Sequence, residues 1–258
     1  MKNTPQGKVP ELVINGHIAT ITLRRPDVAN RLEMEDMNLL LTQVEQANAN
    51  HEVLVLQLEA QGRHFCSGFN IGKLEGGANQ AGQLFETLAS VIERARPVTI
   101  AAIQGGVFGG GTDLALACDF RLGTPACEMS VPAARLGLLF YRGGLERYVT
   151  RLGLATAKRV LLAADKLKAE EMLACGYLDR IASSVNTLAQ VLDELSTTLV
   201  GMAPLALLGM KKHLNRIASG TLDAAEIACD IAKADASDDL REGALAWQEK
   251  RNPTFCGR

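Results

Sequence analysis

No stretch of this chain approaches the about 18 uninterrupted apolar residues that read as a membrane span, so none is expected. The first residues, MKNTPQGKVPELVING, lack the apolar core of a secretory leader. A soluble cytoplasmic protein is the default reading. Neither sign of charge is in excess: 27 basic and 29 acidic residues leave a formal net charge of −2. That balance argues against a nucleic-acid partner held by bulk charge, while leaving room for a small basic pocket. The six cysteines contain no CxxC pair and no adjacent histidine cluster. Their spacing argues against a structural zinc site or a disulfide scaffold and is read as buried free thiols. No Ser-His-Asp order is present, and the glycine-rich segment has no phosphate-loop lysine.

What is present is a 258-residue chain, 47% hydrophobic and 22% charged, long enough for one large domain. Val13-Ile14, Asn15-Gly16 and then His17–Leu23 read as a hairpin, with Asn-Gly supplying the turn. Apolar positions at helical spacing follow over 34–49. Val53–Leu58 reads as a strand. A helix through Leu84, Leu88, Val91, Ile92 and Ala95 is stopped by Pro97, and Val98–Ile103 is again a strand. A helix entry over Gly109–Ala117 and a strand over Phe120–Leu122 come next. Alternation to about residue 182 predicts a layered α/β fold. From about 186 the pattern is helical, over 187–200, 204–217, 222–236 and 239–250.

Two glycine-bearing segments carry chemistry. The first, Gly62–Ile71, follows a strand and has small residues before Phe69, which permit a sharp turn close to a ligand. Alone it reads as a plain loop. The second, Ala101–Asp119, runs from a strand through Gly109-Gly110-Gly111 into an apolar helix. A helix start has unpaired N–H groups and a positive dipole end, so it suits an anion or an oxyanion. Close helix–sheet packing is the alternative.

Taken together, Phe65-Cys66-Ser67-Gly68, the glycine triplet and Leu114–Asp119 resemble the enoyl-CoA hydratase/isomerase (crotonase) superfamily. Pro132–Leu138, Gly143–Arg147, Met210–Asn215 and Glu249–Phe255 extend the resemblance over essentially the whole chain. It implies an α/β spiral of ββα turns over 1–200 and a helical assembly region over 201–258. It also implies an acyl-CoA substrate with no separate cofactor and no metal, and a homotrimer or a hexamer of paired trimers.

Residue by residue, the resemblance implies that Phe69 and Gly110 N–H groups form an oxyanion hole, with Ser67, Gly68 and Ile71 lining the substrate. The family's first catalytic glutamate falls at Asp113, the acid/base candidate, which could equally serve as a helix-terminal dipole partner. The second falls at Ala133, so the two-carboxylate hydratase pattern is incomplete. Tyr141 stands where some relatives carry an aspartate; a hydrogen-bond donor, a weak acid and a pocket wall are all open to it. Arg142 is open to a carboxylated acyl group, to Asp113 or to solvent. Lys73 and Lys250 are offered for coenzyme A. Glu128, Glu146 and His64 read as structural or solvated. Hydratase/isomerase chemistry leads; decarboxylation, hydrolysis and non-catalytic acyl-CoA binding are the alternatives.

Overall fold

The computed structural model describes residues 7–70 and 78–258. Its order is a repeated strand–strand–helix turn. β1 (Glu11–Asn15) and β2 (Ile18–Leu23) precede α1 (Met34–Ala49). β3 (Val55–Ala60) and β4 (His64–Cys66) precede α2 (Ala78–Glu93). β5 (Val98–Ile103) and β6 (Gly106–Phe108) precede α3 (Gly110–Leu116). β7 (Phe120–Gly123) and β8 (Glu128–Ser130) precede α4 (Arg142–Leu161). Then β9 (Leu167–Lys168), α5 (Ala169–Ala174) and β10 (Arg180–Ile181) lead into α6 (Val185–Val200), α7 (Pro204–Ala218), α8 (Ala224–Asp235) and α9 (Asp238–Glu249).

Among the described residues the strands form two sheets. The larger has the order β1-β2-β3-β5-β7-β10, and the smaller β4-β6-β8-β9. From the second turn on, the first strand of each turn enters the large sheet and the second enters the small one, which winds the chain into a spiral. Pairing is parallel except at β1–β2 and β8–β9. The β1–β2 hairpin closes at Asn15-Gly16, where Gly16 takes φ +55°.

The large sheet is covered on both faces, and β5 shows why its sequence is apolar throughout. Side chains alternate along a strand. Ala101 and Ile103 join the main core, whereas Val98, Ile100 and Ala102 meet Leu188, Leu192, Leu195 and Leu199 of α6. Thus α6 packs on the large sheet, and Leu207 of α7 packs against the same cluster. Lys211 of α7 is buried and reaches Asp119 at 2.7 Å and the carbonyl of Pro97. Asn215 of the same helix gives a 2.9 Å bond to the Glu93 carbonyl. Among the described residues no single helix is long and apolar enough to cross a membrane.

The helix over 34–49 and the strand over 98–103 stand where periodicity puts them, and β3 starts two residues later than expected. The cysteines differ from the expectation of uniform burial. Cys66, Cys118 and Cys127 are buried, Cys175 is half-buried, and Cys229 of α8 and Cys256, beyond α9, are exposed.

Candidate active site

The two glycine segments converge because β4 and β6 pair side by side. β4 carries an irregularity between His64 and Cys66, the kind of shift that re-aims the chain leaving a strand. Gly68 then takes φ +84°, a region that L side chains rarely adopt. A Cβ on Gly68 would stand 2.7 Å from the Gly110 nitrogen. The first loop therefore rests directly on the start of α3.

Among the described residues, neither the Phe69 nor the Gly110 N–H has a backbone acceptor. Phe69 bridges Leu32 in parallel. Its neighbours make the bonds: Leu32 N–H donates to the Gly68 carbonyl at 2.8 Å and Asn70 N–H donates to the Leu32 carbonyl at 3.0 Å. Phe69's own N–H is turned away from Leu32. Gly110 is the first residue of α3, where an N–H has no intrahelical acceptor. Gly109 precedes it at φ +53°, anchored by its N–H to the Ser130 carbonyl at 2.9 Å. The Phe69 ring lies 5.2 Å from that of Phe85, and Phe85 leaves no room at Gly110, where a Cβ would meet the ring at 2.9 Å.

One turn into α3, Asp113 is wholly buried. It is not a free carboxylate. Arg147 Nε donates to Oδ1 at 2.9 Å and its Nη2 to Oδ2 at 2.6 Å. Tyr141 donates its hydroxyl to Oδ2 at 2.5 Å. Arg147 also reaches Glu93 at 3.0 Å, and Glu93 binds Arg151 at 3.0 Å through its other oxygen. Burial pushes the Tyr141 hydroxyl well above the usual phenol range, and the Asp113 charge pushes the same way. Burial pulls the Arg147 guanidinium down, but its bonds to Asp113 and the Glu93 charge outweigh that and raise it. The Tyr141 ring stands 6.2 Å from Phe85, the ring that also neighbours Phe69 and Gly110.

The other sequence candidates scatter. Ser67 is half-buried and spends its N–H on the Ala29 carbonyl. Ala133 is half-buried against the core, its carbonyl closing a short turn through Leu136 and Leu138. Arg142 is exposed and pairs with Glu146 at 2.7 Å, so the partner of Asp113 is Arg147 instead. Lys250 is exposed at the end of α9. Glu128 pairs with Lys168. His64 packs its ring on Phe108 at 5.7 Å. Ile71 and Lys73 lie outside the described residues.

Sequence alone assigns no role to Arg147 or Glu93. Arg147 sits inside the Gly143–Arg147 motif, and an arginine one helical turn past a glycine pair was the available signal. Glu93 carries no local signal. A groove of about 1360 Å³ runs between α7 and the spiral; Glu93 and Arg147 line it, and Phe69, Gly110, Asp113 and Tyr141 do not.

The enoyl-CoA hydratase/isomerase family profile matches residues 13–258. The chain belongs to the enoyl-CoA hydratase/isomerase family. It is 27% identical to a short-chain enoyl-CoA hydratase of Clostridium acetobutylicum, covering 92% of this chain and 93% of that protein. It is also 27% identical to a peroxisomal Δ(3,5)-Δ(2,4)-dienoyl-CoA isomerase of Arabidopsis thaliana, over 92% of this chain and 91% of that one. A crystal structure of an enoyl-CoA hydratase/carnitine racemase from Magnetospirillum magneticum superposes with a TM-score of 0.90 at 26% identity, covering 97% and 96% of the two chains. The fold is the crotonase fold. A hydratase and an isomerase at equal distance leave the reaction to the site itself.

Proposed function

We propose that this family member polarises the carbonyl of an acyl-CoA thioester between the N–H groups of Phe69 and Gly110 and stabilises the enolate that results. The observation that carries this reading is the seating of Gly68 on the Gly110 nitrogen, which brings together two N–H groups that have no backbone acceptor among the described residues. A fixed donor at a developing oxyanion contributes ~2.7–4 kcal/mol in the transition state. Enoyl-CoA hydratase/isomerase-like chemistry leads. A proton leaving the substrate passes to the Tyr141 oxygen as the Tyr141 proton passes to Asp113; the C–H electron pair becomes the enolate double bond, and the carbonyl π pair moves onto the oxygen in the hole.

A second reading is favoured by one observation: Asp113, the acid/base candidate, is ion-paired by Arg147, and position 133 is alanine. An enolate formed by loss of CO₂ needs no base. Incubation in D₂O with crotonyl-CoA and, separately, with malonyl-CoA decides between them. Hydration or α-deuterium incorporation on crotonyl-CoA supports the first reading. CO₂ release from malonyl-CoA, with one deuteron from solvent taken up at the α-carbon of the acetyl-CoA product and no change in crotonyl-CoA, supports the second. Neither, with no binding of either thioester, rejects the oxyanion-hole assignment.

A further inference from the structure

We propose that Glu93 and Arg147 are positioning residues: Glu93 aims the Arg147 guanidinium, Arg147 clamps Asp113 through both oxygens, and Asp113 holds the Tyr141 hydroxyl with its proton turned inward. The Tyr141 oxygen then meets the acyl group as a hydrogen-bond acceptor. The inference deepens the thioester reading above and rests on it for the identity of what Tyr141 faces.

The geometry runs as one chain of contacts. Asp113 and Arg147 are buried, at 0% and 3% side-chain exposure, so bulk water is no alternative partner for Asp113, and Arg147 meets the groove only at its edge. The two parallel bonds of 2.9 and 2.6 Å fix the plane of the carboxylate. A guanidinium has five donors in a rigid fork, and the edge not used by Asp113 is taken by Glu93 at 3.0 Å. Glu93 is itself held from the far side by Arg151, whose guanidinium also binds the Cys118 carbonyl at 2.7 Å. Arg151, Glu93, Arg147 and Asp113 thus alternate in sign along one line that joins α2, α4 and α3, with Glu93 and Arg147 each lying between two opposite charges.

The consequence lies at the far end of that chain. A hydroxyl has one proton and two acceptor positions. The Tyr141 proton is committed to Asp113, because an ionised carboxylate can only accept. What remains for a ligand are lone pairs on the Tyr141 oxygen. The substrate atom facing it must therefore bear a proton: an activated α-carbon C–H, a β-hydroxyl or a water. An unclamped Asp113 would swing among rotamers and let the Tyr141 hydroxyl turn outward as a donor.

The chain holds three tyrosines, and the other two are spoken for: Tyr148 pairs with Thr112 Oγ1, and Tyr177 donates to the Thr112 carbonyl at 2.8 Å. Uniform 3-fluorotyrosine labelling therefore gives three fluorine signals, assigned by single Tyr→Phe variants. In the free protein, Glu93→Gln is expected to move or split the Tyr141 signal while leaving that of Tyr177 in place; Glu93→Asp, which keeps the charge, should return it toward the wild-type position. An unmoved Tyr141 signal in Glu93→Gln overturns the positioning role. A Tyr177 signal that moves equally shows general disruption and also counts against it.

The second arm adds acetoacetyl-CoA, whose enolate is seen by ultraviolet absorbance. Enolate absorbance with a shifted Tyr141 signal supports the inference. Enolate absorbance with Tyr141 unmoved overturns the presentation of Tyr141 to the acyl group and leaves the oxyanion hole standing. Failure to bind this thioester removes the hole and the ligand-facing role together, with the clamp judged by the first arm alone.

Discussion

Asp113→Asn separates a clamped carboxylate from a free base, because the two predict different physical losses. The substitution keeps size and removes charge. In the structure it sets an amide beside an arginine that is 3% exposed and that gives Asp113 two bonds, at 2.9 and 2.6 Å. At least one arginine N–H then faces an amide N–H. Breaking a buried ion pair costs 3–5 kcal/mol, and Glu93 still balances Arg147, so the lower end, about 3 kcal/mol, applies. For a domain of this size each kcal/mol lowers Tm by about 2–4 °C, which gives a drop of roughly 6–12 °C. Thermal unfolding followed by circular dichroism reads it. An Asp113→Asn protein with Tm within about 2 °C of wild type and turnover cut at least ~10²-fold would refute the clamp and restore Asp113 as a free base.

Gly68→Ala places a methyl 2.7 Å from the Gly110 nitrogen at φ +84°. It should abolish enolate absorbance from bound acetoacetyl-CoA while the protein stays folded, and retained absorbance would separate these two loops from the hole. Gly110→Val should displace the Phe85 ring, which a Cβ already meets at 2.9 Å, and weaken thioester binding measured by calorimetry. Iodoacetamide at pH 8 followed by mass spectrometry should label Cys229 and Cys256 first; burial holds the Cys66 and Cys118 thiols up to about 12, so both stay unlabelled until unfolding. Raised thiols keep their protons in the folded state and lose them in the unfolded chain above the ordinary value of 9.0. Stability is therefore full below pH 9 and falls as pH climbs toward 12, which urea midpoints across that range will show.

Much of the spiral is legible because long elements carry long periods. Residues 34–49 repeat apolar positions over four turns, and 98–103 is apolar on both faces because both faces are covered. The small sheet escapes such a reading. β4, β6 and β8 are three residues each, too short for a period, and β4 lies inside a stretch that reads as loop. Phe69 and Gly110 are singled out by resemblance, and the structure adds the close approach of Gly68 to the Gly110 nitrogen. The state of Asp113 is not legible in sequence. Its clamp comes from α4 and its second support from α2, and no local pattern records that Glu93, Arg147 and Asp113 will share one buried site.

The winding of the chain also constrains how its length can vary among descendants. Phe69 and Gly110 occupy corresponding points on consecutive turns, each just beyond a three-residue strand of the same small sheet. A residue gained or lost between strand end and donor rotates one N–H away from the other. Length changes outside the two strands and those few positions leave the pairing of β4 with β6 intact. Insertions and deletions compatible with a working thioester site should therefore cluster away from Ser67–Phe69 and Gly109–Gly110, whatever acyl group a given lineage comes to use.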